Sequence, residues 1–196
     1  AEYTQAQGGT KVEAVAEIMN LVNRINQILL IDLAVQFELV DNEDIIFTNA
    51  ASDPFTNTDA AADLETNQQV IDDALGRANY DLGHLLSTNG GGLAFVRAVC
   101  NDSIKAQGYT GDVARNASGE RFYIDLVAHE LGHQLGASHS FNASNEGACT
   151  EDQRSLTTSF EPGSGSTIMS YAGICDSQDL QNFSDPYFHA GSTEEI

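Results

Sequence analysis

Residues 129–139, HELGHQLGASH, restrict the folding of this chain more than any other segment. On an α-helix, side chains four residues apart lie one turn apart on the same face, so His129 and His133 point in the same direction. Gly136 follows three residues later, where glycine tolerates the positive φ that ends a helix and turns the chain. The turn directs His139 back towards the other two histidines. The spacing therefore predicts three imidazoles around one point.

Three histidines in this arrangement predict a zinc site. Imidazole nitrogens are zinc ligands, and a set of three leaves the fourth tetrahedral position open, which is typical of catalytic rather than structural zinc. Glu130 lies next to His129 and is predicted to be a general base, not a ligand. A bare His-Glu-x-x-His pattern also occurs in unrelated proteins, so the specificity of the motif comes from the added Gly136 and His139.

The long motif resembles the zinc-binding sequence of the metzincin metallopeptidases at all of its defining positions. Their second hallmark is a methionine-containing turn beneath the metal, and STIMSYAG (166–173) offers Met169 for that role, with a plain core methionine as the alternative. YDLGHLLS, GGGLAFV and EPGSGSTIMSYAGIC resemble the reprolysin-like (adamalysin-like) members, particularly bacterial ones, over nearly the whole chain. One departure is Ser140, where snake-venom and membrane-anchored adamalysins have aspartate directly after the third histidine.

The resemblance implies an α/β (α+β) metzincin-like fold. It would contain a twisted mixed five-stranded sheet, with two long helices above the zinc cleft and a small irregular C-terminal subdomain. Residues 1–196 would form a single catalytic domain, divided at about residue 139 into N-terminal and C-terminal subdomains. The implied function is a secreted zinc-dependent endopeptidase, in which Glu130 assists the attack of a zinc-bound water on peptide bonds of proteins. The alternative is a non-catalytic zinc- or calcium-binding interaction module on the same scaffold.

Further site residues also follow from the resemblance. Tyr171 resembles a tyrosine of astacins and serralysins that binds zinc or stabilises the oxyanion, although a packing or hydrogen-bonding tyrosine is the alternative. In the family the glycine-rich turn leads into an edge strand that lies antiparallel to the substrate. The residues of that strand would be Leu93, Ala94, Phe95 and Val96.

The three cysteines have no metal-ligand spacing, which excludes a zinc finger. The resemblance implies that Cys149 and Cys175 form a disulfide beside the cleft. Cys100 is then left as a buried free thiol or as a cysteine bonded in another way. His84 and His189 are interpreted as structural.

The acidic balance of the chain excludes some partners. With 8 basic and 29 acidic side chains the formal net charge is −21, which repels nucleic acids and anionic lipid surfaces. No apolar run approaches the roughly 20 residues of a membrane helix. We therefore expect neither nucleic acid nor membrane as a partner, and a monomer acting on proteins or peptides. The acidic surface is consistent with solubility in a salty medium, with a structural calcium ion, or with cationic substrates.

The opening AEYTQAQGGT lacks the basic start and apolar run of a signal peptide. Since the resemblance implies a secreted protein, we expect that a signal peptide and a propeptide have been removed.

Apolar periodicity predicts a helix at residues 11–30, and further helices are predicted at 64–77, after a polar loop, and at 122–135. Strands are predicted at 34–40, 80–86 and 93–99, with a glycine turn at 90–92 between the last two. The first helix is expected to bury a stripe formed by Val12, Val15, Met19, Val22, Ile25 and Leu29.

Overall fold

Helices and a small sheet make up the N-terminal part of the computed structural model, which describes residues 1–112 and 117–196. The helices of this part are α1 (Glu2–Ala6), α2 (Lys11–Asp32) and α3 (Ala60–Leu75). The strands are β1 (Leu85–Ser87), β2 (Gly91–Ala94) and β3 (Gly108–Gly111), and single 3-10 turns lie at Glu43–Ile45 and Arg77–Asn79. The fold is therefore mixed α/β, as predicted.

Helix α2 begins at a capping box. The Thr10 hydroxyl accepts a hydrogen bond from the Glu13 amide at 3.2 Å, and the Glu13 carboxylate accepts one from the Thr10 amide at 3.3 Å. Such a cap stabilises a helix by about 1 kcal/mol. The predicted apolar stripe is wrong in its first half, because Val12 and Met19 are 74% and 50% exposed. Adjacent stripes of this helix are apolar, and core packing selects the one formed by Ala14, Leu21, Ile25, Ile28 and Leu29.

The sheet has the strand order β1-β3-β2. Strand β1 runs parallel to β3, and β2 runs antiparallel to β3 at the edge of the sheet. The sequence prediction missed β3, because its sequence GYTG has no apolar alternation. The predicted glycine turn at 90–92 is wrong, since Gly91 and Gly92 belong to β2. Within the described ranges the sheet has three strands, where five were predicted.

The segment 34–40, predicted as a strand, has no regular secondary structure: Ala34 has a φ of +55°, and the backbone of Phe37 pairs with a side chain. The Asn26 side chain of α2 donates to the Phe37 carbonyl at 2.9 Å and accepts from the Phe37 amide at 2.8 Å. On α3, the Asn67 side chain donates to the Ala106 carbonyl at 2.6 Å, and the Gln68 side chain accepts from the Ala106 amide at 2.9 Å. Helix side chains therefore satisfy backbone groups that another strand would otherwise pair.

The zinc motif lies in a continuous helix, residues 119–135, which we call the motif helix. It consists of α4 (Gly119–Arg121), a π-helical stretch (Phe122–Ala128) and α5 (His129–Leu135). Single π-helical turns in α-helices are often found at functional sites. The main hydrophobic core joins α2 to this helix through Phe122, Ile124, Val127 and Ala128, and it also contains Ile168 and Met169.

Residues 140–196 contain little regular structure. They include the isolated bridges Phe141–Glu161 and Glu146–Cys149, a 3-10 turn at Asp176–Gln178 and helix α6 (Ala190–Glu195). The predicted disulfide between Cys149 and Cys175 is present, with the Cα atoms 5.2 Å apart.

Cys100 carries a free thiol at the surface, so both expectations for it, a buried thiol or a bonded cysteine, are wrong. No helix in the described part of the chain is both long and apolar enough to cross a membrane.

Candidate metal centre and cleft

The three histidines of the motif meet at one point. His129 and His133 lie one turn apart on α5, which ends at Gly136, whose φ is +135°. The turn that follows places His139 Nε2 3.2 Å from His129 Nε2 and 3.1 Å from His133 Nε2. The ligand atoms of the three histidines all lie within 4.8 Å of one another. The convergence predicted from the spacing is therefore present.

Each of the three imidazoles is oriented by a backbone carbonyl. The Nδ1 atoms of His129, His133 and His139 lie 2.7, 2.7 and 2.5 Å from the carbonyl oxygens of Ile168, Ala137 and Gln153, respectively. A carbonyl only accepts hydrogen bonds, so Nδ1 carries the proton and Nε2 of the neutral ring presents a lone pair. Three lone pairs therefore face one another.

This donor set fits zinc. Zinc–nitrogen bonds of roughly 2.0–2.1 Å in a tetrahedral site place the ligand nitrogens about 3.3 Å apart, close to the two separations above. Carbonyl acceptors on the second ring nitrogen are the partners that metal-binding histidines usually have.

Burial keeps these histidines neutral. Desolvation lowers the pKa of His129 well below its ordinary value, and the neighbouring His133 and His139 lower it further. Desolvation also lowers the pKa of His133 and, together with the charge of His133, lowers that of His139 to about 4. Neutral imidazole is the form that binds a metal, so the site is suited to a cation near neutral pH.

The Glu130 carboxylate is buried between α5 and the edge strand β2. A Cβ on Gly92 would overlap the carboxylate of Glu130, so a larger residue at that point of the strand would displace the carboxylate. Desolvation raises the pKa of Glu130 to about 8. Raised carboxyl pKa values at clefts are typical of groups that exchange protons.

Tyr171 packs against the histidines. Its ring centre lies 4.6 Å from that of His139 and 5.6 Å from that of His129, and it stacks on Phe141 at 4.6 Å. The hydroxyl donates to the Gln153 side chain at 3.2 Å, and desolvation, followed by the charge of Glu130, raises the pKa of Tyr171. The phenol is therefore a proton donor held beside the histidine cluster.

Met169 lies beneath the motif helix. Its side chain is fully buried, and its sulfur packs so closely on Gly132 that a Cβ there would overlap it. The preceding residue, Ile168, supplies the carbonyl that orients His129. This turn therefore supports the helix and one histidine.

Comparison with known proteins agrees with this geometry. The family model described as metallo-peptidase family M12B, reprolysin-like, matches residues 1–193. The chain belongs to this family. No curated protein matches it. Membership and the histidine cluster together indicate a zinc metallopeptidase, whose substrates are proteins or peptides.

In this reprolysin-like chain, a buried carboxylate from elsewhere in the sequence reaches Ser140. Oε1 of Glu161 accepts the hydroxyls of Ser140 at 2.6 Å and Thr167 at 2.5 Å, and Oε2 accepts the amides of Ser166 at 2.7 Å and Thr167 at 3.2 Å. Desolvation would raise the pKa of Glu161, but these donors outweigh it and the pKa is lowered. Glu161 therefore joins the residue after His139 to the methionine turn. The sequence analysis missed its role, although Glu161 begins the segment EPGSGSTIMSYAGIC, because the sequence does not show which hydroxyls and amides a carboxylate in a loop will accept.

The predicted substrate strand lies along the edge of the sheet. Leu93 and Ala94 belong to β2, while Phe95 and Val96 continue beyond it, the Phe95 amide donating to the Gln107 carbonyl at 3.1 Å. Leu93, Phe95 and Val96 are exposed.

A cleft of about 350 Å³ runs between this edge strand, the motif helix and residues 152–155. Gln153 and Arg154 in this wall are a further part of the site that the sequence analysis missed.

Nothing in the described ranges supports calcium, since no second group of three or more His, Cys, Asp or Glu side chains is found there.

Proposed function

We propose that the chain is a secreted zinc-dependent endopeptidase that hydrolyses internal peptide bonds of proteins. The observation that carries this proposal is the convergence of three neutral Nε2 atoms beside a buried glutamate in an open cleft. His129, His133 and His139 would hold the metal, and Glu130 would be the general base. Residues 1–196 would form one catalytic domain, divided near residue 139.

Zinc, when bound, would supply Lewis-acid chemistry, which polarises a carbonyl and acidifies water. The chain's own residues would move the protons. Glu130 would accept a proton from water and pass it to the leaving amine. The Tyr171 hydroxyl, which donates to Gln153 here, would turn to donate to the oxygen of the scissile carbonyl as negative charge develops on it.

The edge strand would position the substrate. In the described ranges strand β2 pairs with β3 on one side only, so its other side can bind an extended peptide through main-chain hydrogen bonds. The disulfide between Cys149 and Cys175 supports an extracellular location, because disulfides persist in oxidising compartments.

The rival function is a zinc-holding interaction module without catalysis. A structural site needs no base, so the buried Glu130 beside the histidines favours the enzyme.

The test compares the zinc-loaded chain with Glu130→Ala on a denatured protein, with product termini read by mass spectrometry and zinc content measured in both. We expect internal cuts by the native chain and a loss of rate of at least about 100-fold in the variant at unchanged zinc content. Glu65→Ala, which removes an exposed glutamate of α3, should cut like the native chain. If the zinc-loaded native chain makes no cuts, the interaction module is the better interpretation.

A further inference from the structure

Arg154 lines the same cleft as Glu130, His139 and Tyr171. Its Nε atom is buried and has no hydrogen-bond partner among residues 1–112 and 117–196. A buried donor without an acceptor costs free energy, so such groups need an explanation. A substrate that brings a hydrogen-bond acceptor into the cleft would satisfy this donor and explain its position.

Three basic side chains of the described ranges pair with carboxylates, and Arg154 is among those that do not. Arg24 pairs with Glu120, Arg77 with Asp72 and Lys105 with Asp102. For Arg154, by contrast, no carboxylate oxygen of residues 1–112 or 117–196 lies within 4.0 Å of a guanidinium nitrogen. Even Asp152, which lines the same cleft, is not within that distance.

The backbone around Arg154 is fixed relative to the candidate metal centre. The Gln153 carbonyl accepts from His139 Nδ1 at 2.5 Å, and the Arg154 amide donates to the Thr150 carbonyl at 3.1 Å. On the other side, the Thr158 hydroxyl lies 2.7 Å from both the His139 carbonyl oxygen and the Ser155 hydroxyl. The guanidinium group is therefore presented from a segment tied to the third histidine on both sides.

We propose that Arg154 determines substrate specificity by binding a carboxylate of the peptide substrate. This inference rests on the proposed function and names its substrate class, peptides with a carboxylate within reach of the cleft. A guanidinium group offers a planar fork of donors that binds a carboxylate through two hydrogen bonds, and Nε is one of the donors available for such pairing. The carboxylate can come from an Asp or Glu side chain or from the peptide's C-terminus.

The net charge of −21 acts against this preference at long range. It attracts cationic peptides, but salt screens that attraction within about 10 Å at 0.1 M ionic strength. The Arg154 contact is short-range and partly buried, so screening weakens it less. The carboxylate preference is therefore expected to grow as salt is raised, whereas a preference for cationic peptides would fall.

The test measures peptide binding by the zinc-loaded Glu130→Gln variant, so that no substrate is consumed. The probes are capped hexapeptides with one Glu, Gln or Lys placed at each position in turn, together with one uncharged hexapeptide with a free or an amidated C-terminus. We expect at least one Glu peptide, or the free C-terminus, to bind roughly 10- to 100-fold more tightly than its uncharged partner. The Glu series and the C-terminal pair distinguish the two sources of the carboxylate.

Three further substitutions in the same background show whether Arg154 is responsible. Arg154→Met should abolish the preference, and Arg154→Lys should keep part of it, because lysine retains the charge but not the fork. Arg121→Met removes an exposed arginine of the motif helix with the same change in net charge, and it should keep the full preference.

Equal binding of Glu and Gln peptides and of both C-termini, tighter binding of Lys peptides at 0.5 M salt, or an unchanged preference in a folded Arg154→Met variant would each overturn the proposal. Failure of the proposed function is observed separately, as the absence of cleavage of these peptides by the zinc-loaded native chain.

Discussion

At the scale of single residues, the site depends on close contacts that leave little freedom. Glu130 is buried, and its carboxylate lies where Gly92 has no side chain. Each histidine has its Nδ1 atom bound to a carbonyl, so its ring cannot turn without losing a hydrogen bond. Small changes beside these groups should therefore affect chemistry more than stability.

Gly92→Ala should lower kcat by roughly 100-fold or more while zinc content stays near that of the native chain. The added methyl group would overlap Glu130 and push its carboxylate out of place, but it would not touch the three Nε2 atoms. Steady-state kinetics and metal analysis of the same samples check this. Gly92→Ala with native kcat would show that the position of Glu130 is not critical.

The surroundings of His84 indicate that the stability of the fold depends on pH. Its two ring nitrogens lie 2.7 Å from Gln134 Oε1 and 2.8 Å from Thr110 Oγ1, and desolvation lowers its pKa to about 4, although the Gln134 hydrogen bond raises it. The unfolded chain protonates His84 near pH 6.5. The neutral ring therefore makes its full contribution to the free energy of unfolding above pH 6.5, and this contribution is lost as the pH falls towards 4.

Between pH 7 and pH 5, His84 should therefore cost about 1 to 2 kcal/mol of unfolding free energy. Denaturant unfolding of the native chain and of His84→Gln checks this. The variant should lose less stability over this interval, and parallel curves would contradict the assignment.

At the scale of elements, side chains of helices replace strand pairing in two places. The segment at Phe37 is held by Asn26, and the backbone at Ala106 is held by Asn67 and Gln68. A strand pattern shows that a segment is extended and half-buried, but it does not show what pairs with its backbone. This is why the pattern at 34–40 predicted a strand that the structure does not contain.

Asn26→Ala should destabilise the fold by about 2 to 3 kcal/mol, because it removes two hydrogen bonds and leaves the Phe37 amide and carbonyl unpaired. Asn23→Ala, on the exposed face of the same helix, is the matched control and should change stability by less than about 1 kcal/mol. Thermal or urea unfolding of both variants measures the difference. Equal effects would show that the segment is held by its apolar contacts alone.

The methionine turn is an element held by one carboxylate. Glu161→Gln replaces an oxygen acceptor by an amide donor that faces hydroxyl and amide donors, so we expect a loss of about 2 to 4 kcal/mol. Because Thr167 precedes the carbonyl that orients His129, zinc should also be removed more easily by a chelator, by roughly 10-fold. Glu151→Gln, at an exposed position, should show neither effect. If a chelator removed zinc from a folded Glu161→Gln protein at the native rate, the hydrogen bonds of Glu161 would not contribute to metal binding.

At the scale of the whole molecule, the candidate metal centre joins the two parts of the chain. His129 and His133 belong to the motif helix, whereas the carbonyls that orient His129 and His139 belong to residues 140–196. A bound metal would therefore stabilise the contact between α5 and the irregular C-terminal part.

Removal of zinc by a chelator should lower the melting temperature by several degrees, because a ligand present at about 1,000 times its Kd contributes about 4 kcal/mol. Re-addition of Zn²⁺ should restore the value, and Mg²⁺ should not, since Mg²⁺ prefers oxygen ligands. Differential scanning calorimetry measures both steps. An unchanged melting temperature in protein shown to be metal-free would contradict a zinc site that spans the two parts.

The sequence by itself determined the histidine cluster, because the spacing of the motif and the glycine after it are local geometry on one helix. It also indicated α2, since the apolar periodicity of this helix extends over many residues, and it indicated a helix over most of the motif helix. Family resemblance supplied the disulfide, which is present, whereas the family role of Met169 stays a prediction. Only the tertiary structure decided that β3 lies between β1 and β2, that Glu161 reaches Ser140 and that Arg154 faces the cleft. These contacts join residues far apart in the sequence, and no local pattern encodes which distant backbone or carboxylate will lie beside them.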